Sequence, residues 1–310
     1  MNIPSFEDWL AAVNERGATR QAMAYRDLSW DDPDHALRDD DPRLAWPSRD
    51  ALGSTTWFRT LPACQRSRMT LHYWVIECRY AVTTERRLLG GLWSLCHHFP
   101  PDSREFRFLY QEIGEEVQHS LMFHEFLRRA SSFFPTGLRG EHPPSWRDGL
   151  LMAIGRRLPH LCLALIVIGE SEFLTSFSDE CRSYPHPLLR RIMTLHVKEE
   201  VTHLQFAERL LRHRADHISP LERSILRAVV PRAMRAYSRS LYRVSPILVE
   251  TYGIPRDVLT TAYDDNTDHA RKVGATFRNL RLLCRDLGIL DARTEPKWRA
   301  WGLLPSTETS

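Results

Sequence analysis

The 310-residue chain has no Cys-x-x-Cys pair, no Gly-x-Gly-x-x-Gly loop and no strand-like alternation of apolar and polar residues. Structural zinc sites and iron–sulfur clusters gather thiolates at short spacing, so the first absence argues against both. The second leaves no built-in dinucleotide-binding turn, and electrons for any redox chemistry must come from outside the chain. The third points to an all-α fold. Long apolar runs are missing too. The longest, over 158–169, is about a dozen residues broken by Pro159 and His160, which suits a buried core helix and not a membrane span.

Surplus charge is equally scarce: 42 Lys and Arg against 39 Asp and Glu leave +3, with the arginines scattered among acids. No nucleic-acid partner is expected from such solvated faces. The six cysteines (Cys64, Cys78, Cys96, Cys162, Cys181 and Cys284) are widely separated, as suits reduced thiols in an intracellular protein. The opening Met-Asn-Ile-Pro-Ser-Phe-Glu-Asp does not carry the basic, apolar and small-residue pattern of an export signal. A cytoplasmic protein without a membrane partner is the expectation.

What the chain does have is helix signals. Residues 1–60, rich in Asp, Pro and Trp, are expected to form an arm laid over the rest. A short helix over 5–14 opens it, and Trp30, Trp46 and Trp57 anchor it. Proline and glycine punctuation then predicts long helices over 69–97, 102–132, 146–178 and 188–214, the third bent near Pro159. Helices over 219–241 and 267–287 follow, then a tail over 291–310. The reading is a four-helix bundle with additional flanking helices, in one domain spanning 61–290.

Two motifs carry chemistry. In His196-Val-Lys-Glu-Glu-Val-Thr-His203, residues 196, 200 and 203 fall within a ~60° sector of a helix, at roughly 100° per residue. Glu116-Val-Gln-His119 repeats the Glu-x-x-His spacing upstream. Two such motifs plus one glutamate from each of two further helices are the ligand set of a carboxylate-bridged dimetal centre. Antiparallel helices joined by a short turn put Glu85 level with Glu116. The 30 residues from Glu170 to Glu200 match the 31 from Glu85 to Glu116, which favours Glu170 over Glu172. The expected metal ligands are therefore Glu85, Glu116, His119, Glu170, His196, Glu200 and His203. Four carboxylates offset two divalent ions, and oxygen with imidazole donors suits two Fe ions, or manganese, with a place left for O2. His196 exceeds the minimum of one histidine per metal, so it is assigned as a ligand that makes the two metals unequal; the alternative is a histidine packed outside the ligand shell.

Neighbouring residues receive plainer readings. Glu115 and Glu199, each ~100° off the ligand face, are expected at the surface. Glu112 is expected to be solvated or to sit behind the ligands, with a metal contact as the equal alternative, Glu77 to be a bystander ~12 Å along the helix from Glu85, and Tyr73, Tyr80 and Tyr110 to be core or pocket residues.

Glu85, Glu116-x-x-His119, Glu170 and His196-x-x-x-Glu200-x-x-His203 together resemble the p-aminobenzoate N-oxygenase family, and Ile168-Gly-Glu-Ser-Glu-Phe173 is similar to that family's third-helix segment. The third histidine is the specific part, and the resemblance covers about 70–210 directly. It implies a ferritin-like diiron oxygenase of bacterial secondary metabolism, a homodimer. Such an enzyme uses O2 and an external electron donor or reductase to oxidise an amine nitrogen to hydroxylamine, nitroso or nitro. The amine is a small molecule or one bound to a carrier protein. The same ligand set also permits C–H hydroxylation, desaturation or oxidative C–C cleavage, and a non-catalytic iron-binding bundle stands as the remaining alternative.

Overall fold

Four helices open at a serine cap. Ser5, Ser103, Ser219 and Ser245 each place a side-chain oxygen on a backbone N–H of the helix they open. The computed structural model describes residues 4–134, 146–178 and 181–304, with a few helical side chains, Glu172 among them, outside that set. All the regular elements among the described residues are helical. They are α1 (Phe6–Arg20), α2 (Thr56–Thr60), α3 (Ala63–Cys96), α4 (Arg104–Ala130), α5 (Trp146–Arg157), α6 (Pro159–Phe177) and α7 (Pro187–His213). Beyond these come α8 (Pro220–Ser240), α9 (Pro246–Tyr252), α10 (Arg256–Leu259), α11 (Thr267–Thr276), α12 (Arg278–Asp286) and α13 (Glu295–Ala300). No described helix is long and apolar enough to cross a membrane.

The bundle is ferritin-like: α3 pairs with α4, α6 pairs with α7, and the two hairpins close through α3 against α6 and α4 against α7. Helix α5 fills the space beside α3 and α6, α8 covers α6, and α1 lies across α4 and α7. The expected third helix is two. Leu158 sits at φ −137°, ψ 67°, because Pro159 excludes the helical conformation from the residue before it and starts α6 afresh. The expected helix over 267–287 is likewise divided at Phe277, at φ −97°, ψ 19°. The first helix reaches Arg20, six residues beyond the expected end at 14.

Two apolar clusters fill the bundle, one around Leu88, Leu92, Phe108, Ile168, Phe206 and Leu210, the other around Trp74, Cys78, Phe123, Phe126, Ile192 and Met193. Helices α3, α4 and α7 run through both, and each changes cluster at its acidic or histidine residues: Glu85 in α3, 112–119 in α4 and 199–203 in α7. The same inward stripes that are apolar above and below are therefore ionisable in one shared layer. The arm threads past it. Trp30 is buried and donates from Nε1 to Ala24 O at 2.6 Å, and the Trp46 ring packs on Phe58 and Tyr73.

Candidate metal centre

All seven predicted ligands are buried; six of them fall in two groups of converging donor atoms, and Glu170 lies outside both groups and meets the layer through Glu200. Single donor atoms of Glu85, Glu116, His119, His196 and Glu200 lie within 4.8 Å of one another, and a second group joins Glu112, Glu116 and His203 at the same limit. Glu116 belongs to both groups, the position of a bridging carboxylate. Glu200 reaches His196 Nε2 at 2.8 Å, His119 Nδ1 at 3.2 Å and His203 Nδ1 at 3.5 Å. Glu170 hydrogen-bonds to Glu200, and Glu85 to Glu116, so each single glutamate meets the motif glutamate of its own hairpin.

The two histidines of the paired motifs turn the same nitrogen inward. His119 Nδ1 faces Glu116 Oε2 at 3.0 Å while its Nε2 bonds Glu199 Oε2 at 2.9 Å. His203 Nδ1 faces Glu116 Oε1 at 2.9 Å while its Nε2 bonds Glu115 Oε2 at 2.7 Å. Glu115 and Glu199 are therefore not surface acids. Each crosses to the histidine of the other hairpin and fixes its tautomer, the arrangement that orients and strengthens an imidazole donor. Glu199 is buried because the arm covers it: Ala22 N donates to Glu199 Oε1 at 2.7 Å. Helical periodicity cannot see that cover; only the doubled acid before each Glu-x-x-His hinted at it.

Glu112 is likewise not solvated. It is 2% exposed, and it stands four residues before Glu116 as His196 stands four before Glu200. The two hairpins thus differ at one equivalent position, acid in one and imidazole in the other. Glu77, expected as a bystander, lines the cavity beside the centre and pairs with Arg49 at 3.0 Å. Tyr73 and Tyr80 line that cavity too, whereas Tyr110 is 44% exposed and stacks on Phe106.

Charge in the layer is divided unevenly. Burial pushes the Glu85 and Glu170 carboxyls far up, reinforced by Glu116 and Glu200 respectively. Burial acts on Glu116 and Glu200 in the same sense, but hydrogen bonds and charge from the histidines, and from Glu170 to Glu200, hold both below the usual carboxylate range. Burial opposes a charge on His119 and His203, and their carboxylate partners overcome it and raise both. His196 is lowered, by burial first and then by His119, whose ring lies 4.2 Å away. Glu112 is pushed up to about 8, chiefly by burial. Without a cation the layer thus balances by keeping protons.

A pair of divalent ions fits this donor set. Glu116 Oε1 and His203 Nδ1 lie 2.9 Å apart, and buried Glu200 Oε2 and Glu112 Oε2 have no hydrogen-bond partner. Unpaired buried acceptors converging on one point are costly unless a cation satisfies them. All six cysteines are free, so no thiolate site competes. The model of the p-aminobenzoate N-oxygenase AurF family matches residues 4–288.

This chain belongs to the AurF family.

Among relatives, uncharacterized proteins of Mycobacterium tuberculosis and Mycobacterium bovis are 25% identical over 296 residues, which cover 95% of this chain and 86% of theirs. No solved structure matches the chain. AurF-family membership and the buried Glu/His clusters together support a diiron-dependent oxygenase in general terms.

Proposed function

We infer that this protein is a non-haem diiron N-oxygenase, converting an amine to a hydroxylamine, nitroso or nitro product with O2 and electrons from an external reductase. Glu85, Glu116, His119, Glu170, His196, Glu200 and His203 are the residues that would hold two Fe ions. Bound iron would supply the activation of O2 and an external reductase the electrons; the chain holds and orients the reactants. The observation that carries the reading is His196, which lines the adjacent cavity and meets Glu200 at 2.8 Å. It brings a third, neutral imidazole to the centre, on the side a substrate approaches.

The rest of the site serves orientation and dryness. Glu115 and Glu199 hold His203 and His119 with Nδ1 inward. Phe123 packs edge-on to His196 at 5.1 Å, and with Trp74, Ile192 and Met193 makes an apolar wall. Such a wall keeps bulk water from the amine nitrogen and leaves its lone pair facing the centre. Glu85 and Glu170 face the same cavity, so the proposed donor groups themselves form its inner end. A cavity walled by the donor groups themselves favours an enzyme over a passive iron-binding bundle. The proposed assembly is a homodimer, and the amine is free or carrier-bound.

The test is incubation of the reduced, iron-loaded protein with a panel of aryl and alkyl amines under O2, followed by mass spectrometry. Products heavier by one or two oxygens on nitrogen are expected, and His196→Ala is expected to lose them while keeping measurable iron. Hydroxylation or desaturation of carbon substrates with every amine untouched would sink the reading.

A further inference from the structure

The cavity beside the centre has a volume of ≈270 Å³ and two chemically distinct ends. Glu85, Glu170, His196 and Glu200 form one. Eight residues earlier in α3, about 12 Å at the helical rise of ~1.5 Å per residue, lies Glu77. That span is about one para-disubstituted ring with a hydrogen bond at either end. The cations on the wall are Arg49 and Arg243, and each is held by an acid. Arg49 is 8% exposed, reaches Glu77 Oε2 at 3.0 Å, and donates to the Tyr73 hydroxyl from Nη2 at 2.7 Å and from Nε at 3.2 Å. Arg243 reaches Asp264 at 2.7 Å. Glu77 keeps a third of its side chain accessible although burial raises its pKa.

We propose that this end of the cavity selects amines whose far end is an uncharged acyl group, an amide or ester, and rejects a free carboxylate, with Glu77 as the residue that sets the choice. The assignment rests on the N-oxygenase reading for the identity of the reacting end only. A carboxylate brought to Arg49 must displace Glu77 or sit beside it, two like charges within a few ångströms of each other. An amide adds no charge and donates to the Glu77 carboxylate. The arm that supplies Arg49 and the helix that supplies Glu77 thus cancel the cation an aminobenzoate would need.

Calorimetric binding of 4-aminobenzamide and 4-aminobenzoate to the iron-loaded protein, without reductant, tests this directly. The wild type is expected to bind the amide at least about tenfold more tightly, and Glu77→Gln to shift the ratio about tenfold toward the carboxylate. Arg49→Gln, with Glu77 retained, is expected to widen the preference for the amide, which keeps the test open if one variant fails to fold. Equal or tighter wild-type binding of the carboxylate, a ratio unmoved by Glu77→Gln in folded protein, or no binding of either ring overturns the proposal. Because nothing turns over, a preserved amide preference with no oxidised amine in the O2 assay would remove the N-oxygenase reading and leave the selectivity standing.

Discussion

The decisive residues are the ones beside the ligands. Glu115 and Glu199 each precede a motif glutamate, and each bonds the inward histidine of the opposite hairpin. Glu115→Gln and Glu199→Gln are expected to leave the fold intact and weaken divalent-metal binding by about 10–100-fold, read by titration with Fe(II) under anaerobic conditions. Proton linkage gives a second readout. Glu85, Glu170, His119 and His203 all have raised pKa values without metal, so they carry protons near neutrality that a ligand cannot keep. Metal uptake must therefore release protons, and affinity must fall as pH falls. Calorimetry in buffers of different ionisation enthalpy checks the sign; pH-independent binding would contradict the proposed ligand set.

At the scale of elements, α6 carries one proposed ligand, Glu170, and its placement depends on a cap from another helix. Pro159 removes one N–H at its start, and Glu222 of α8 accepts from His160 N at 2.9 Å, Leu161 N at 3.2 Å and His160 Nδ1 at 2.7 Å. Helix α8 thereby fixes where α6 begins and, eleven residues on, where Glu170 falls in the metal layer. Removing a buried charged cap with three hydrogen bonds costs roughly 2–4 kcal/mol, so Glu222→Ala is expected to lower the urea midpoint and the affinity for metal together. The pH sign follows from the direction of the shift. Burial alone would raise the Glu222 pKa, but His160 and the two backbone N–H groups bring it below the ordinary value. A carboxyl depressed in the folded state contributes stability that is present above its unfolded pKa and lost as pH falls through its folded one. The gap between wild type and Glu222→Gln is thus expected to be full at pH 7 and to close in acid.

For the whole molecule, the proposed ligands come from four helices, α3, α4, α6 and α7, and so tie the two hairpins together. A metal that binds only the folded chain stabilises it by about 2.7 kcal/mol at a hundredfold excess over its Kd. For a chain of this size that corresponds to a rise in Tm of roughly 4 °C, reversed by a chelator. A Tm indifferent to iron would mean that the layer does not bind it.

The sequence by itself determined what is local and periodic. The inward stripes of α4 and α7, the 31- and 30-residue separations of the paired glutamates, and the proline and serine stops belong to single helices and short turns. The fourth bundle helix was legible to within a residue at each end, from 188–214 to Pro187–His213. Contacts across elements were not legible. Periodicity assigned Glu199 to solvent because nothing in α7 reveals that Ala22 of the arm will cover that flank. Glu77 looked idle because Arg49, 28 residues away on an irregular segment, gives it a role. The break at Leu158 depended on Pro159 being satisfied by starting a helix, which the remote Glu222 makes possible. Helix geometry repeats every few residues and is written in neighbouring side chains, so it decided which groups face inward. Burial, cross-hairpin hydrogen bonds and the charge of a cavity wall arise between segments far apart in the chain, and only the tertiary structure decided them.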